Sequence, residues 1–153
     1  MTLRRKAREY ALQMLFQFDI TRKREGLIEQ FWTQRKVIPA VRAYADCLVE
    51  GVLNHLDEID RLIQVYTQHW SLDRIAIVDR NILRFAIYEI LYREEIPAKV
   101  TINEAIEITK KYGDQSSGAF VNGILDRIVK EDPRALCKKE AIKRDLHAGN
   151  DSL

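Results

Sequence analysis

An all-helical fold is predicted by three features of this sequence: apolar residues recur at three- and four-residue intervals along nearly its whole length, only six glycines and three prolines punctuate its 153 residues, and no stretch alternates as a strand would. A chain of this size can bury one substantial core, so one compact unit is expected. With 46% hydrophobic and 31% charged residues, it is neither a disordered chain nor a membrane protein, because every long apolar stretch is broken by charge.

The first helix is expected from about Arg4 to about Thr21, with Ala7, Ala11, Met14, Leu15 and Phe18 on its inner face and Arg4, Arg5 and Arg8 largely off it. Arg22 to Gly26 ends it. A short helix follows around Leu27, Ile28, Phe31 and Trp32, and Pro39 stands where a third begins. Unbroken spacing from Val41 to Tyr66 predicts one rod reaching His69, ~40 to 45 Å long at the standard helical rise. The pattern restarts with Ser71 as N-cap and a stripe from Ile75 to Ile90, stopped by Pro97. Thr101 and Glu104 match a capping box, with Val100 and Ala105 as its staple, and Gly113 falls where a left-handed C-terminal cap is wanted. After the polar loop Asp114 to Gly118, Phe120 to Ile128 form another amphipathic helix ending near Asp132 and Pro133. Ala135, Leu136, Ile142 and Leu146 line a final exposed helix that frays from Ala148 onward. One domain over 1–133 is expected, divided into helical subdomains 1–69 and 70–133, with a charged tail over 134–153.

No phosphate-binding glycine loop, dinucleotide fingerprint, metal-ligand cluster or nucleophile elbow is found, so neither an enzyme nor a cofactor or metal site is expected. His55, His69 and His147 are scattered without partners, and Cys47 and Cys137 suggest reduced thiols. The N-terminus lacks a continuous apolar segment behind its basic residues, so no secretory signal is expected and the protein reads as cytoplasmic.

Charge is unevenly distributed. Residues 1–24 hold seven Lys or Arg against two acids, although the net charge of the chain is only +2. On a helix, Arg4 and Arg8 stack one turn apart beside Arg5, close to a positive helix N-terminus, an arrangement that attracts phosphate through counterion release. A solvated basic surface explains the same feature equally well. Lys110, Lys111 and Tyr112 extend the strip or serve only as favourable residues at a helix C-terminus. Phe18, Phe85 and Phe120 match core spacing, whereas Phe16 lies nearly off the stripe. Arg74, Asp79, Arg80, Arg84 and Glu89 read as surface ion pairs.

The segments "WSLDRIAIVDRNILRFAIYEILY" from Trp70, "IPAKVTINEAIEITKKYG" and "SSGAFVNGILDRI", together with the opening "RRKAREYALQMLFQ", resemble the NusB family in order and spacing over nearly the whole chain. The resemblance implies two packed three-helix bundles with an additional C-terminal helix. It also implies a non-enzymatic factor that binds boxA RNA of ribosomal RNA leaders with the ribosomal protein NusE, and that joins RNA polymerase and the other Nus factors in antitermination. Carried over by motif position, Arg4, Arg5, Lys6, Arg8, Lys110, Phe120, Asn122 and Asp126 are the expected RNA-binding residues, and Phe16, Arg84, Tyr88 and Glu89 the expected NusE face. A homodimer that hides the basic strip is an alternative arrangement. Two other readings remain open: a helical protein-interaction scaffold, and the NusB-like module of a ribosomal RNA methyltransferase. The lysine-rich tail beyond Pro133 is longer than in a minimal member, and is either an extra RNA contact or an appendage.

Overall fold

A computed structural model describes the backbone of residues 2–151 and the side chains of residues 2–146. Its helices are α1 (Leu3–Thr21), α2 (Leu27–Trp32), α3 (Pro39–Asn54), α4 (Leu56–Tyr66), α5 (Ile77–Tyr92), α6 (Ala98–Tyr112), α7 (Ser117–Glu131) and α8 (Pro133–Asp151), with a 3-10 turn at Leu72–Arg74. Among the described residues there is no strand, and no helix is long and apolar enough to cross a membrane.

The organising element is α5, which packs against α1, α3, α4, α6, α7 and α8. Its turns are enclosed on nearly every side: Ile82, Leu83, Phe85, Ala86, Ile87 and Ile90 are fully buried. A helix surrounded in this way has no solvent face on which to place its polar residues, so Asn81, Arg84 and Glu89 are buried too. Their hydrogen bonds must therefore come from neighbouring helices.

The single rod expected over 39–69 is instead two helices. The break is at His55, whose backbone (φ −123, ψ 23) leaves helical geometry. Its cause is tertiary: α3 packs on α1 and α5, whereas α4 packs on α5 and α7, and a straight rod cannot follow both. The His55 ring stacks on Tyr92 with centroids 4.2 Å apart, covering the bend. Close packing of α3 on α5 requires Gly51, because a Cβ there would stand 2.1 Å from Cζ of Tyr88.

The capping motifs also resolve differently. Helix α6 begins at Ala98, directly after Pro97, so Thr101 and Glu104 lie inside it and bond to other helices. Ser71 precedes the 3-10 turn without a side-chain capping bond. Gly113 is extended (φ −95, ψ −173), not left-handed. It is needed for close approach, since a Cβ would lie 2.5 Å from Oγ of Ser117. Fraying from Ala148 is not seen as far as Asp151, where α8 ends; residues 152–153, and side chains from His147 on, lie outside the described residues.

Candidate nucleic-acid interface

Helix α1 opens with Thr2 as N-cap, its Oγ1 accepting the Arg5 backbone N–H at 3.1 Å. This sets the phase in which the basic residues face outward or inward. Arg4 lies over the ring of Tyr44, 5.0 Å from its centroid, and Lys6 over Tyr10 at 5.4 Å. Both keep their charges at the surface, braced by an aromatic face.

Arg5 turns partly inward, donating from Nε and Nη2 to the Glu104 carboxylate at 2.6 and 2.9 Å. Those bonds from Arg5 outweigh burial, which acts the other way, and hold the Glu104 carboxyl below its usual range. Lys111 makes a second tie between α6 and α1, with Glu9 at 2.9 Å.

Arg8 corrects the expected cationic strip. It is 2% exposed, and its guanidinium forms a bidentate pair with Glu89 of α5 at 2.6 and 2.9 Å. The same carboxylate accepts from Tyr44 Oη at 2.9 Å and Thr101 Oγ1 at 2.7 Å, so α1, α3, α5 and α6 meet on one anion. Burial disfavours the charge on Arg8, but the Glu89 bonds outweigh it and raise its pKa above the ordinary value. Burial and the Glu89 charge push the Tyr44 hydroxyl up as well. Arg8 therefore holds the helix in place and is not available to phosphate.

The expected partner face is corrected in the same way at two positions. Glu89 is fully buried in the network just described, and Arg84 is 2% exposed. Arg84 donates to both oxygens of Asp19 at 2.9 Å and to both of Asp60 at 2.8 and 3.0 Å. Arg80 and Asn81 also bond Asp19, at 2.9 and 2.8 Å. Although burial raises the Asp19 pKa, the bonds from Arg84 and Arg80 exceed that effect and lower it. Tyr88 is half-buried against Gly51. Phe16 stays at the surface, 37% exposed, with Ile20 one turn on at 64%.

Elsewhere, Lys110 is exposed and pairs with Glu107 at 2.7 Å. Phe120 is half-buried against the core. Asn122 is exposed, and Asp126 accepts from Lys130 at 2.8 Å; both border a cleft between α6, α7 and α8. Sequence reasoning did not single out Tyr44 or Arg93. The Tyr44 ring has the guanidinium groups of Arg4, Arg8 and Arg93 within 5.0, 5.7 and 5.6 Å of its centroid. Nothing local marks this cluster, because its members come from two helices, α1 and α3, and the loop after a third, α5.

A model of the NusB family matches residues 5–130. The chain belongs to the NusB family. It is 46% identical over 140 residues to the transcription antitermination protein NusB of Thermodesulfovibrio yellowstonii, covering 84% of this chain and 93% of that one. It is 44% identical over 153 residues to NusB of Desulfitobacterium hafniense, covering 98% and 97%. Among solved structures it resembles T. maritima NusB with a TM-score of 0.77 at 44% identity, over 86% of this chain and 93% of that one. A chain from a crystal structure of antitermination factors NusB and NusE in complex with dsRNA matches with a TM-score of 0.75 at 30% identity, over 85% and 98%. The helical fold expected from the sequence is thus the fold of NusB proteins.

Proposed function

We propose that this protein is an RNA-binding transcription antitermination factor that, with NusE, binds the boxA element of ribosomal RNA leader transcripts and suppresses premature termination by RNA polymerase. It acts in the cytoplasm as a binding factor, without catalysing a reaction. The observation that carries this reading is the match, over 85% of the chain, to a structure in which NusB and NusE are bound to RNA. The exposed charges of Arg4 and Lys6, each braced on a tyrosine, supply an edge suited to phosphate. Lys110, Phe120 and Asn122 are further RNA contacts in this reading. Phe16, with the neighbouring Ile20, supplies the apolar part of the NusE face, and the joined complex then engages polymerase and the remaining Nus factors.

Fluorescence anisotropy with a boxA RNA and a scrambled control, with and without NusE, tests the proposal. Preferential boxA binding that tightens with NusE is expected. Equal affinity for the two RNAs, with NusE binding intact, would instead make this chain a protein-binding scaffold.

A further inference from the structure

The family match stops at residue 130, yet the chain continues into α8, which folds back on the protein. Ala135 is 2% exposed, Lys138 donates from Nζ to the backbone carbonyl of Glu89 at 3.0 Å, and Arg134 is paired with Asp132 and Glu58. These anchors fix α8 across the start of α6 and the second half of α7. Between them lies a cleft of about 440 Å³, within the ~300 to 1,000 Å³ typical of small-ligand sites.

The cleft has two chemically distinct parts. Ile102, Val129 and Ile142 give it an apolar lining, and Lys99, Lys139 and Lys143 stand exposed around it. Among the described residues, none of these three lysines is paired with an acid. Among the described residues that line the cleft, Asp126 is the one carboxylate, and its charge is already matched by Lys130. Asn103 and Asn122 add side-chain amides that can donate and accept hydrogen bonds.

We propose that this cleft is an additional RNA subsite, which seats an unpaired nucleotide flanking boxA with its base against the apolar lining and its phosphates among Lys99, Lys139 and Lys143. The inference rests on the RNA reading above and adds to it a role for α8. Charge complementarity selects the occupant: an apolar peptide would leave the three lysines that line the cleft uncompensated, whereas a nucleotide satisfies both parts of it. The cleft also shares Asn122 with the proposed RNA face, so one strand can run from one to the other.

The test compares the full-length protein with the K99Q/K139Q/K143Q variant, using boxA alone and boxA carrying six unpaired nucleotides on its 5′ or 3′ side. These lysines are exposed, so the thermal midpoint is expected to be unchanged. The wild-type protein should gain at least tenfold in affinity from one of the extensions, and the variant should lose that gain while binding bare boxA within about twofold of wild type. The salt dependence on the extended RNA should fall by about 2 in logarithmic slope, ~0.7 for each lost phosphate contact. No gain from either extension, or a gain that the variant retains, overturns the subsite. Absence of wild-type binding to bare boxA overturns the RNA reading itself, and the subsite with it.

Discussion

Arg4 and Arg8 lie one turn apart on α1, carry the same side chain, and have opposite fates. Arg4 is exposed, 5.0 Å from the centroid of the Tyr44 ring; Arg8 is 5.7 Å from the same ring, but only 2% exposed and locked to Glu89. The difference comes from what surrounds each turn. The first turn of α1 is left largely open, with Leu3 53% exposed, whereas from Ala7 onward its inner face is buried as α1 packs on α3 and α5. A basic run on one helix therefore divides in two, with an outer pair of charges left exposed and an inner charge that holds the helix in place.

The largest expected effect comes from breaking the inner device. Arg8→Ala leaves Glu89 buried with its strongest partner gone, and removal of one member of a buried pair typically costs ~3 to 5 kcal/mol. Urea unfolding should show a loss in that range. A loss below ~1 kcal/mol would place Arg8 with the surface arginines. A smaller effect is expected from Gly51→Ala, where the new methyl must displace the Tyr88 ring, at ~1 to 3 kcal/mol for such overpacking. Replacing Tyr88 by Leu in the same chain should recover part of that loss.

A third effect concerns α8, and it is read as a pH dependence. Burial pulls the Lys138 ammonium down to about 8, against the pull of Glu89, Glu95 and Glu94 in the other direction. The unfolded chain keeps that proton up to its ordinary value of 10.5, so between the two values the unfolded state binds more protons than the folded one. Stability relative to a Lys138→Met variant should therefore rise as pH increases from about 8 toward 10.5. A flat difference over that window, or one that falls toward its upper end, would mean that Lys138 is held as a cation by its neighbours.

The sequence shows the helices well where local chemistry decides them. Pro39, Pro97 and Pro133 mark three helix starts or their approach, and the apolar period fixes the inner faces of α1, α6 and α7. It is silent where the cause is distant. The apolar spacing continues through His55 with no proline and no glycine nearer than Gly51, which lies inside α3, so the turn from α3 to α4 has no local mark. The fate of charged residues was the hardest to read. Arg8 and Glu89 are 81 residues apart, and Asp19 and Arg84 are 65 apart; each looks like a surface charge until its partner is in view. Thr101 and Glu104 satisfy the letter of a capping box and are used instead to bind Glu89 and Arg5. Helical position places Arg4 off the inner face, and it is exposed; the same reasoning places Arg8 there and fails, because its partner Glu89 is on another helix.

The most direct measurement sets boxA RNA affinity beside unfolding free energy for two variants, R4A/K6A and R8A. R4A/K6A is predicted to lose most RNA affinity and about 1.4 of the logarithmic salt slope, ~0.7 for each of two phosphate contacts, with stability within ~0.5 kcal/mol of wild type. R8A is predicted to lose stability first. Wild-type RNA affinity and salt slope in R4A/K6A, or an R8A protein of unchanged stability that no longer binds RNA, would contradict the division of α1 into an outer binding edge and an inner anchor.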